Sequence, residues 1–429
     1  MRVLLSAFAC EPNHGSEFGI GWNIACELAR LGHEVAVLAS GWHHREKVEQ
    51  WLAAHPETPP LRFVWHDVPG WQPPPYNDAR YLRIYYNTWQ LTARRRVREL
   101  LRHERFDVIQ HVTWGAWRWP SHLAGLGPAH IFGPVGGGLA PPWRLRASFP
   151  GRAKFFEYAR DLGNFLGWLN PRLWLCLART DLMLATDIDS KRWVHPWWRH
   201  KVEVMSQIAC FDPPAHVLAD PVIPPGPGLR LLAVGRVEWW KGLFLALPAF
   251  RDLRKQDPRA RFTIIGKGPD HETLRQLAQS LGVLDAIDWI DFIPNHELQA
   301  VYRRHDLLVF PSFHDLGGVA VAEAMTNGLP AIVLDREDEA GLIDASCGRR
   351  VPIAGRSQEA VEAAMGEILI ELASDPALRA RLRQGAVRRA QERSWAALAR
   401  AFSSCYDRLV QETVPGPKAL ASDRHAPAE

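Results

Sequence analysis

Short apolar runs alternate with stretches of helical periodicity along most of this chain. Residues 2–9 form an apolar run, residues 23–31 place apolar side chains at helical spacing, and residues 34–39 form a second apolar run. This order predicts a strand, a helix and a parallel strand. Further apolar runs follow at 230–236, 261–266, 287–292, 306–310 and 331–334. The pattern therefore predicts two α/β series, each with its own parallel sheet.

A proline-rich stretch separates the two series. Residues 208–228 hold six prolines and few helix-forming residues, which is typical of a linker. The predicted division is an N-terminal domain over residues 1–207 and a C-terminal domain over residues 229–393. The second domain is followed by a predicted last helix over 394–412. A disordered tail, rich in Pro, Ala and charge, is predicted over 413–429.

Composition narrows the class of protein. The chain has 429 residues, of which 47% are hydrophobic and 23% charged, as in ordinary globular proteins. A net charge of +4 is small for this length and gives no reason to expect a nucleic-acid partner. Six scattered cysteines without a C-x-x-C pair suit a reducing cytoplasm and predict neither disulfides nor a metal site. The apolar run at the N-terminus is too short for a signal peptide and predicts a buried strand.

The most informative stretch is 306–335, which predicts a strand, a glycine loop, a short helix and a second strand. Loops at the carboxyl end of parallel strands, followed by a helix, bind phosphorylated ligands through unpaired amides. Gly317 and Gly318 would let the backbone approach an anion, and Val319 and Ala320 would supply amide donors.

Two carboxylates flank this loop. Asp315 precedes the helix and Glu323 lies inside it, with seven residues between them. An ionised carboxylate only accepts hydrogen bonds, so each can hold a pair of hydroxyls. Two diols on either side of a diphosphate describe a nucleotide-sugar.

These motifs resemble the donor site of retaining glycosyltransferase family 4, whose fold is GT-B. The resemblance rests on Pro311-Ser312, the Asp315 and Glu323 pair, and the sequence Glu323-Ala-Met-Thr-Asn-Gly-Leu-Pro330. It implies an α/β protein with two Rossmann-like, doubly wound parallel-sheet domains facing a cleft. The sequence departs from the family where Asp315 stands in place of the usual Glu, which bears on the identity of the donor sugar.

The resemblance also implies roles for residues elsewhere. Gly15 and Ser16 would face the diphosphate across the cleft, although the glycines of Gly15–Trp22 can equally serve helix–strand packing. Arg236 and Lys241, in a G-R-x4-K-G motif, would neutralise the diphosphate. His111, at the end of a predicted strand, would contact the donor sugar; a hydrogen-bonded core histidine is the alternative.

Three further implications come from the same family. Asp315 would face the transferred sugar and Glu323 the ribose. Backbone near Ile293 lies where the family binds the base. The last helix would cross back onto the N-terminal domain.

Acceptor binding is predicted for a different set of residues. Trp114 lies in an aromatic segment that could line a sugar platform or the core. Three consecutive glycines, Gly136, Gly137 and Gly138, cost backbone entropy on ordering and indicate ligand contact, with Arg144 nearby.

Two segments keep more ordinary explanations. The aromatic stretch 155–177 predicts a helical pair packed on the first domain, and contact with a lipid surface is the alternative. Asp187-Ile-Asp189 has the form of a D-x-D metal motif but precedes a helix start, so capping is expected.

The sequence thus predicts a cytoplasmic hexosyltransferase, or one bound peripherally at the inner face of the membrane. It would move a hexose with retained configuration from a nucleotide-sugar to a glycan or lipid-linked acceptor in cell-surface or exopolysaccharide synthesis. We expect no metal or other cofactor. The alternatives are an epimerase or phosphorylase-like enzyme on the same architecture, or a donor- or glycan-binding subunit without activity.

Overall fold

A computed structural model describes residues 1–73, 79–219, 226–315, 318–336 and 341–413. Two parallel sheets organise these residues. The strands of the first sheet are β1 (Arg2–Ser6), β2 (Glu34–Ala39), β3 (Leu61–Trp65), β4 (Val108–His111), β5 (Ala129–Val135), β6 (Leu182–Ala185) and β7 (Val202–Val204). Those of the second sheet are β8 (Arg230–Val234), β9 (Arg261–Ile265), β10 (Ile287–Ile290), β11 (Leu307–Phe310), β12 (Ala331–Asp335) and β13 (Gly348–Pro352).

Helices connect and cover these strands. In the first half they are α1 (Ser16–Arg30), α2 (Gly41–Ala54), α3 (Ala79–Leu100), α4 (Trp143–Arg146), α5 (Gly151–Trp168), α6 (Pro171–Arg179), α7 (Ile188–Trp193) and α8 (Ala215–Ala219). In the second half they are α9 (Leu243–Gln256), α10 (His271–Ser280), α11 (Asn295–Arg304), α12 (Gly318–Thr326), α13 (Gln358–Ser374), α14 (Pro376–Glu392) and α15 (Trp395–Thr413). None of the described helices is both long and apolar enough to cross a membrane.

Both sheets are doubly wound. Their strand orders are β3-β2-β1-β4-β5-β6-β7 and β10-β9-β8-β11-β12-β13, and every neighbouring pair is parallel. The chain reverses its winding between β1 and β4 in one sheet and between β8 and β11 in the other. Ligands of open parallel sheets bind beyond the carboxyl ends of the strands at such points. The predicted fold class, two doubly wound α/β domains, is confirmed.

Apolar residues on both faces explain why these strands are continuous hydrophobic runs. Val3 and Leu5 of β1 pack in one cluster with α1 and α15, whereas Leu4 packs with α3 on the other face. A parallel sheet covered on both sides buries every strand position, so it shows no polar alternation.

Segments of each half pack into the other. Phe402 and Tyr406 of α15 are fully buried in the core of the first domain. In the opposite direction, Phe149 joins the core of the second domain, where its ring lies 5.4 Å from that of Phe313. His314 adds a polar contact, with Nε2 2.6 Å from Glu157 Oε1. The two domains therefore meet along a shared, partly apolar seam.

The structure differs from the sequence-based expectations in several places. The helix expected from residue 23 begins at Ser16, so most of the predicted glycine loop is helical. The predicted linker contains α8. Within it, the backbone of Cys210 forms an isolated parallel β-bridge with that of Ser394. The edge strands β3 and β13 were not predicted. The predicted tail, apart from its first residue, lies outside the described residues.

Candidate active site

Two of the pockets between the domains are lined by predicted site residues of both halves. The larger, which we call the glycine pocket, encloses about 910 Å³. Its lining consists of Asn13, His14, Gly15, Val234, Gly235, Arg236, Ile265, Gly266, Lys267, Gly268, Asp291, Phe292, Ile293, Asn295, Leu298 and Glu323. The smaller, the tryptophan pocket, encloses about 430 Å³. Its lining includes Glu17, Leu82, Arg83, Trp114, Gly115, Ala116, Trp119, Gly136, Gly137, Leu139, Thr186, Asp187, His314, Asp315 and Gly318.

The glycine pocket is formed largely by loops that follow β8, β9 and β10. Gly266, directly after β9, has φ +144°, and a Cβ there would lie 1.9 Å from the carbonyl oxygen of Gly235. Only glycine allows these two turns to touch. Their close packing brings the turns after β8 and β9 together at one side of the cavity.

Three glycines at the start of α1 differ in what surrounds them. A Cβ at Gly19 would lie 2.0 Å from the carbonyl oxygen of His14, and one at Gly21 would lie 2.8 Å from that of Ala9. A Cβ at Gly15 would meet no protein atom within 4 Å. Packing therefore explains Gly19 and Gly21, as the sequence allowed, but it does not explain Gly15, which lines the glycine pocket.

Arg236 is much more exposed than Lys241, the other cation predicted to bind the diphosphate. Its side chain is 75% exposed, lines the glycine pocket and forms an ion pair with Glu238. Glu238 itself is buried, and burial raises the pKa of its carboxyl despite the neighbouring Arg236 and Lys241. The guanidinium is thus held at the pocket edge with most of its donors open to water.

Lys241 and Asp315 are bonded to each other. Lys241 Nζ donates to Asp315 Oδ2 at 2.7 Å, and Ser312 Oγ donates to the same oxygen at 2.7 Å. Burial acts to raise the pKa of Asp315, but Lys241 and Ser312 outweigh it and hold the pKa below its ordinary value. Asp315 is therefore ionised at neutral pH, and its separation from Lys241 is fixed.

Glu323 occupies the other side of α12. Its Oε2 accepts a hydrogen bond from the hydroxyl of buried Tyr302 at 2.8 Å, and its side chain lines the glycine pocket. Burial raises the pKa of Glu323, and the bond from Tyr302 offsets only part of that effect. The sequence had not indicated Tyr302, which orients this carboxylate.

The start of α12 reaches the tryptophan pocket. Gly318 has φ +56°, and a Cβ there would lie 2.8 Å from the ring of Phe310. Val319 lines a smaller adjoining cavity with Gly15 and Glu323, while Ala320 is half-buried against the domain core. Gly317 lies outside the described residues, as does the side chain of Ser16.

The tryptophan pocket combines aromatic and carboxyl groups from distant parts of the chain. Trp114 has φ +57°, and its amide donates to Glu17 Oε2 at 2.9 Å. Burial raises the pKa of Glu17, partly offset by that bond. Glu17 was not predicted as a site residue; its position two residues after Gly15 was the only local signal.

Three predicted site residues lie elsewhere. The amide of Gly138 donates to Ser190 Oγ at 2.9 Å, and a Cβ at Gly138 would lie 2.4 Å from the Ser190 backbone, so this glycine serves packing. Arg144 donates to the carbonyl of Gly355 at 2.8 Å, across the domain seam. Neither lines the described pockets.

His111 is the third of these predicted site residues, and it also lies outside the two pockets. It ends β4 at the winding reversal but is 2% exposed, with Nε2 3.2 Å from Tyr86 Oη and Nδ1 3.3 Å from Gln90 Nε2. Burial lowers the pKa of His111 to about 4. This geometry fits the alternative of a hydrogen-bonded core histidine, and its contact with a donor sugar stays a prediction.

The D-x-D segment caps a helix. Asp187 Oδ1 accepts from the amide of Ser190 at 2.6 Å at the start of α7. Among the described residues, no group of three or more His, Cys, Asp or Glu side chains is arranged to hold a metal ion.

The beginnings of two helices lie between the pockets. At α1, Gly15 faces the glycine pocket and Glu17 the tryptophan pocket; at α12, Glu323 faces the former and Gly318 the latter. Helix N-termini carry unpaired amides and partial positive charge, so this boundary favours an anion.

Residues 223–389 match the family model described as glycosyl transferases group 1. The match lies in the second domain and contains Arg236, Lys241, Asp315 and Glu323, so the resemblance inferred from these residues is confirmed.

Known proteins extend the similarity. The chain is 32% identical over 198 residues to D-inositol 3-phosphate glycosyltransferase of Corynebacterium glutamicum, a match that covers 43% of this chain and 44% of that protein. It is 34% identical over 118 residues to the putative colanic acid biosynthesis glycosyltransferase WcaL of Escherichia coli, covering 26% and 29%. The chain thus spans less than half the length of these curated relatives.

A solved structure matches across both domains. Alr3699/HepE of Anabaena, crystallised with UDP, aligns with a TM-score of 0.56 at 13% identity, over 95% of this chain and 99% of that one. The GT-B fold is confirmed, and the residues that match the group 1 model lie in its second half.

Proposed function

We propose that this protein is a retaining glycosyltransferase. It transfers a hexose from a nucleoside-diphosphate sugar to a hydroxyl group of a glycan or lipid-linked acceptor, without a metal ion. The glycine pocket takes the nucleotide, the tryptophan pocket takes the acceptor, and the diphosphate and reacting carbon lie between them.

One observation carries this proposal, namely the boundary that the starts of α1 and α12 form between the two pockets. Departure of the nucleoside diphosphate places negative charge at this boundary. Amides at both helix starts, together with Arg236 and Lys241, would stabilise it without reorganising. Those two cations stand where a divalent metal would otherwise be needed.

The environment of Asp315 supports retention without a covalent enzyme intermediate. Its Oδ2 already accepts bonds from both Lys241 and Ser312, each at 2.7 Å. A carboxylate so engaged is a poor nucleophile, since attack on the sugar would give up these bonds. Under the scheme that the family resemblance implies, the bond from the sugar carbon to the diphosphate breaks and the acceptor oxygen bonds to that carbon on the same face. A phosphate oxygen of the departing nucleoside diphosphate takes the proton of the acceptor hydroxyl.

The proposed cellular role and compartment are supported by the curated relatives and by the state of the cysteines. The similarity to a glycosyltransferase of colanic acid biosynthesis supports a role in cell-surface or exopolysaccharide synthesis. The six cysteines are all buried and free, which suits the reducing cytoplasm, where nucleotide-sugars are available to the enzyme.

Turnover of UDP-, GDP- and ADP-sugars in the presence of EDTA tests the proposal. We expect one donor class to be consumed at an unchanged rate when EDTA is added, with a glycosyl product of the same anomeric configuration by proton NMR. A strict requirement for Mg²⁺, or an inverted product, would contradict it.

A further inference from the structure

The outward face of α5 is apolar over about four turns, from Phe155 to Leu169. Six large apolar side chains of this helix, together with that of the adjoining Leu169, are between 46% and 69% exposed. These residues are Phe155, Phe156, Tyr158, Leu162, Phe165, Leu166 and Leu169. We call them the outer face. Single exposed apolar residues are ordinary on proteins, but a continuous stripe of this size indicates an interaction surface.

The outer face continues beyond α5. The ring of Phe165 stacks on Trp168 at 6.4 Å, and Trp168 stacks on His195 at 4.9 Å. Next to His195 lies Trp197, which is 67% exposed. Tryptophan and tyrosine beside aliphatic residues are typical of surfaces that enter the interfacial region of a bilayer.

Basic residues border this apolar surface. Residues 151–201 contain nine Lys and Arg against five Asp and Glu. Arg152, which lies against the ring of Phe156, and Arg172 are exposed near either end of the outer face. The two acidic residues of α5 are engaged elsewhere, because Glu157 is buried and Asp161 is paired with Arg146. An anionic surface would meet little repulsion.

The opposite face of α5 contacts the cleft. Asn164 Nδ2 donates to the carbonyl oxygen of Gly137 at 3.3 Å, and Glu157 lies 2.6 Å from His314. Gly137 and His314 both line the tryptophan pocket. A single helix, about 10 Å across, therefore separates that pocket from the outer face.

We propose that the outer face binds the surface of an anionic lipid bilayer, with α5 lying in the plane of the interface. A second copy of this chain is the less favourable occupant, because a symmetric contact would bring the same basic border against itself. An anionic bilayer can bury the apolar side chains of the outer face and attract the basic residues at its border. The apolar part of α5 is too short to cross the bilayer. Bound in this way, the protein opens its tryptophan pocket next to the lipid headgroups.

Cosedimentation of the full chain with vesicles tests the proposal, and it needs no donor or acceptor. The vesicles are phosphatidylcholine alone or phosphatidylcholine with phosphatidylglycerol. We expect binding to the mixed vesicles and a loss of at least about tenfold for Phe155→Ser/Leu162→Ser/Leu166→Ser. The matched control, Leu31→Ser/Trp42→Ser/Leu218→Ser, removes exposed apolar residues elsewhere and should bind like the wild type.

Charge provides a second variant that does not alter the apolar stripe. Arg152→Glu/Arg172→Glu should weaken binding to mixed vesicles by about fivefold or more per charge, and added salt should reduce this difference. Equal binding by wild type and the triple serine variant would overturn the proposal. So would a wild-type dimer, by sedimentation velocity, that the triple serine variant converts to monomer. Neither result bears on glycosyl transfer to a soluble acceptor, so this proposal can fail while the proposed function stands.

Discussion

The two pockets of the cleft differ in which parts of the chain line them. The glycine pocket is formed mainly by short turns after successive strands of one domain, with Arg236 and Glu323 among its lining residues. The tryptophan pocket is formed by residues from α1, α3 and the loops after β4, β5, β6 and β11, which belong to both domains. The first is suited to a ligand that many proteins share, and the second to a ligand that differs from one protein to the next.

The largest expected effect is on the side of the cleft that the second domain forms. Lys241→Ala removes a preorganised cation from the departing diphosphate and leaves Asp315 without its partner. We expect kcat for sugar transfer to fall by about 10²–10³. The control is Lys255→Ala, a surface lysine of the same domain that is paired only with Asp252. A fall of less than about threefold for Lys241→Ala would count against the assignment of the diphosphate to this side.

The glycines of α1 separate ligand contact from packing. Gly19→Ala places a Cβ against the His14 carbonyl oxygen and should lower the free energy of unfolding by about 1–3 kcal/mol or more. Gly15→Ala meets no protein atom, so stability should be unchanged or raised by up to about 1 kcal/mol.

Donor affinity should show the reverse order for these two variants. Gly15→Ala should weaken binding of the nucleotide-sugar by roughly tenfold, because the new methyl group occupies space next to the diphosphate. Chemical denaturation and calorimetric titration measure the two quantities. If donor affinity were unchanged in Gly15→Ala, the start of α1 would not border the ligand.

A substitution in the tryptophan pocket should change KM for the acceptor rather than affinity for the donor. Trp119→Ala removes an aromatic wall and should raise KM for the acceptor by up to about tenfold while leaving the donor dissociation constant unchanged. Trp42→Ala, at an exposed position of α2, should change neither value. A change in donor affinity with constant acceptor KM would reverse the assignment of the two pockets.

The smallest expected effect is a pH dependence of donor binding. Because burial raises the pKa of Glu323, this carboxyl takes up its proton at a higher pH than an ordinary Glu. Donor affinity should fall several-fold as the pH is lowered through that range, since the protonated group accepts fewer hydroxyl bonds.

Stability should change in the opposite direction over the same range. A raised pKa in the folded state means that the folded protein binds the proton more tightly, so the contribution of Glu323 to stability is present at low pH and lost as the pH rises through its folded pKa. The difference in unfolding free energy between wild type and Glu323→Gln isolates this term. A pH-independent difference would show that the pKa of Glu323 is not raised.

The two pockets also differ in how much the sequence could predict. Arg236, Lys241, Asp315 and Glu323 lie in short motifs whose spacing determines their placement, and all four are found around the cleft. Glu17 and Arg83 reach the tryptophan pocket only because distant segments fold together; Glu17 is marked only by its closeness to Gly15, and no local pattern marks Arg83. Contacts between distant segments also explain why the start of α1 was not predicted. Its glycines lower helix propensity, so the sequence predicted a loop, yet close packing of Gly19 and Gly21 holds that segment helical.

The central claim is that a nucleoside diphosphate binds between the starts of α1 and α12, held by Arg236 and Lys241. A thermal-shift titration of UDP, GDP and ADP against the wild type and Arg236→Ala/Lys241→Ala tests it most directly. We expect one nucleotide to stabilise the wild type by about 2.7 kcal/mol at a hundred times its dissociation constant, and to have little effect on the double variant. Equal stabilisation of both proteins, or none of the wild type by any of the three, would contradict the claim.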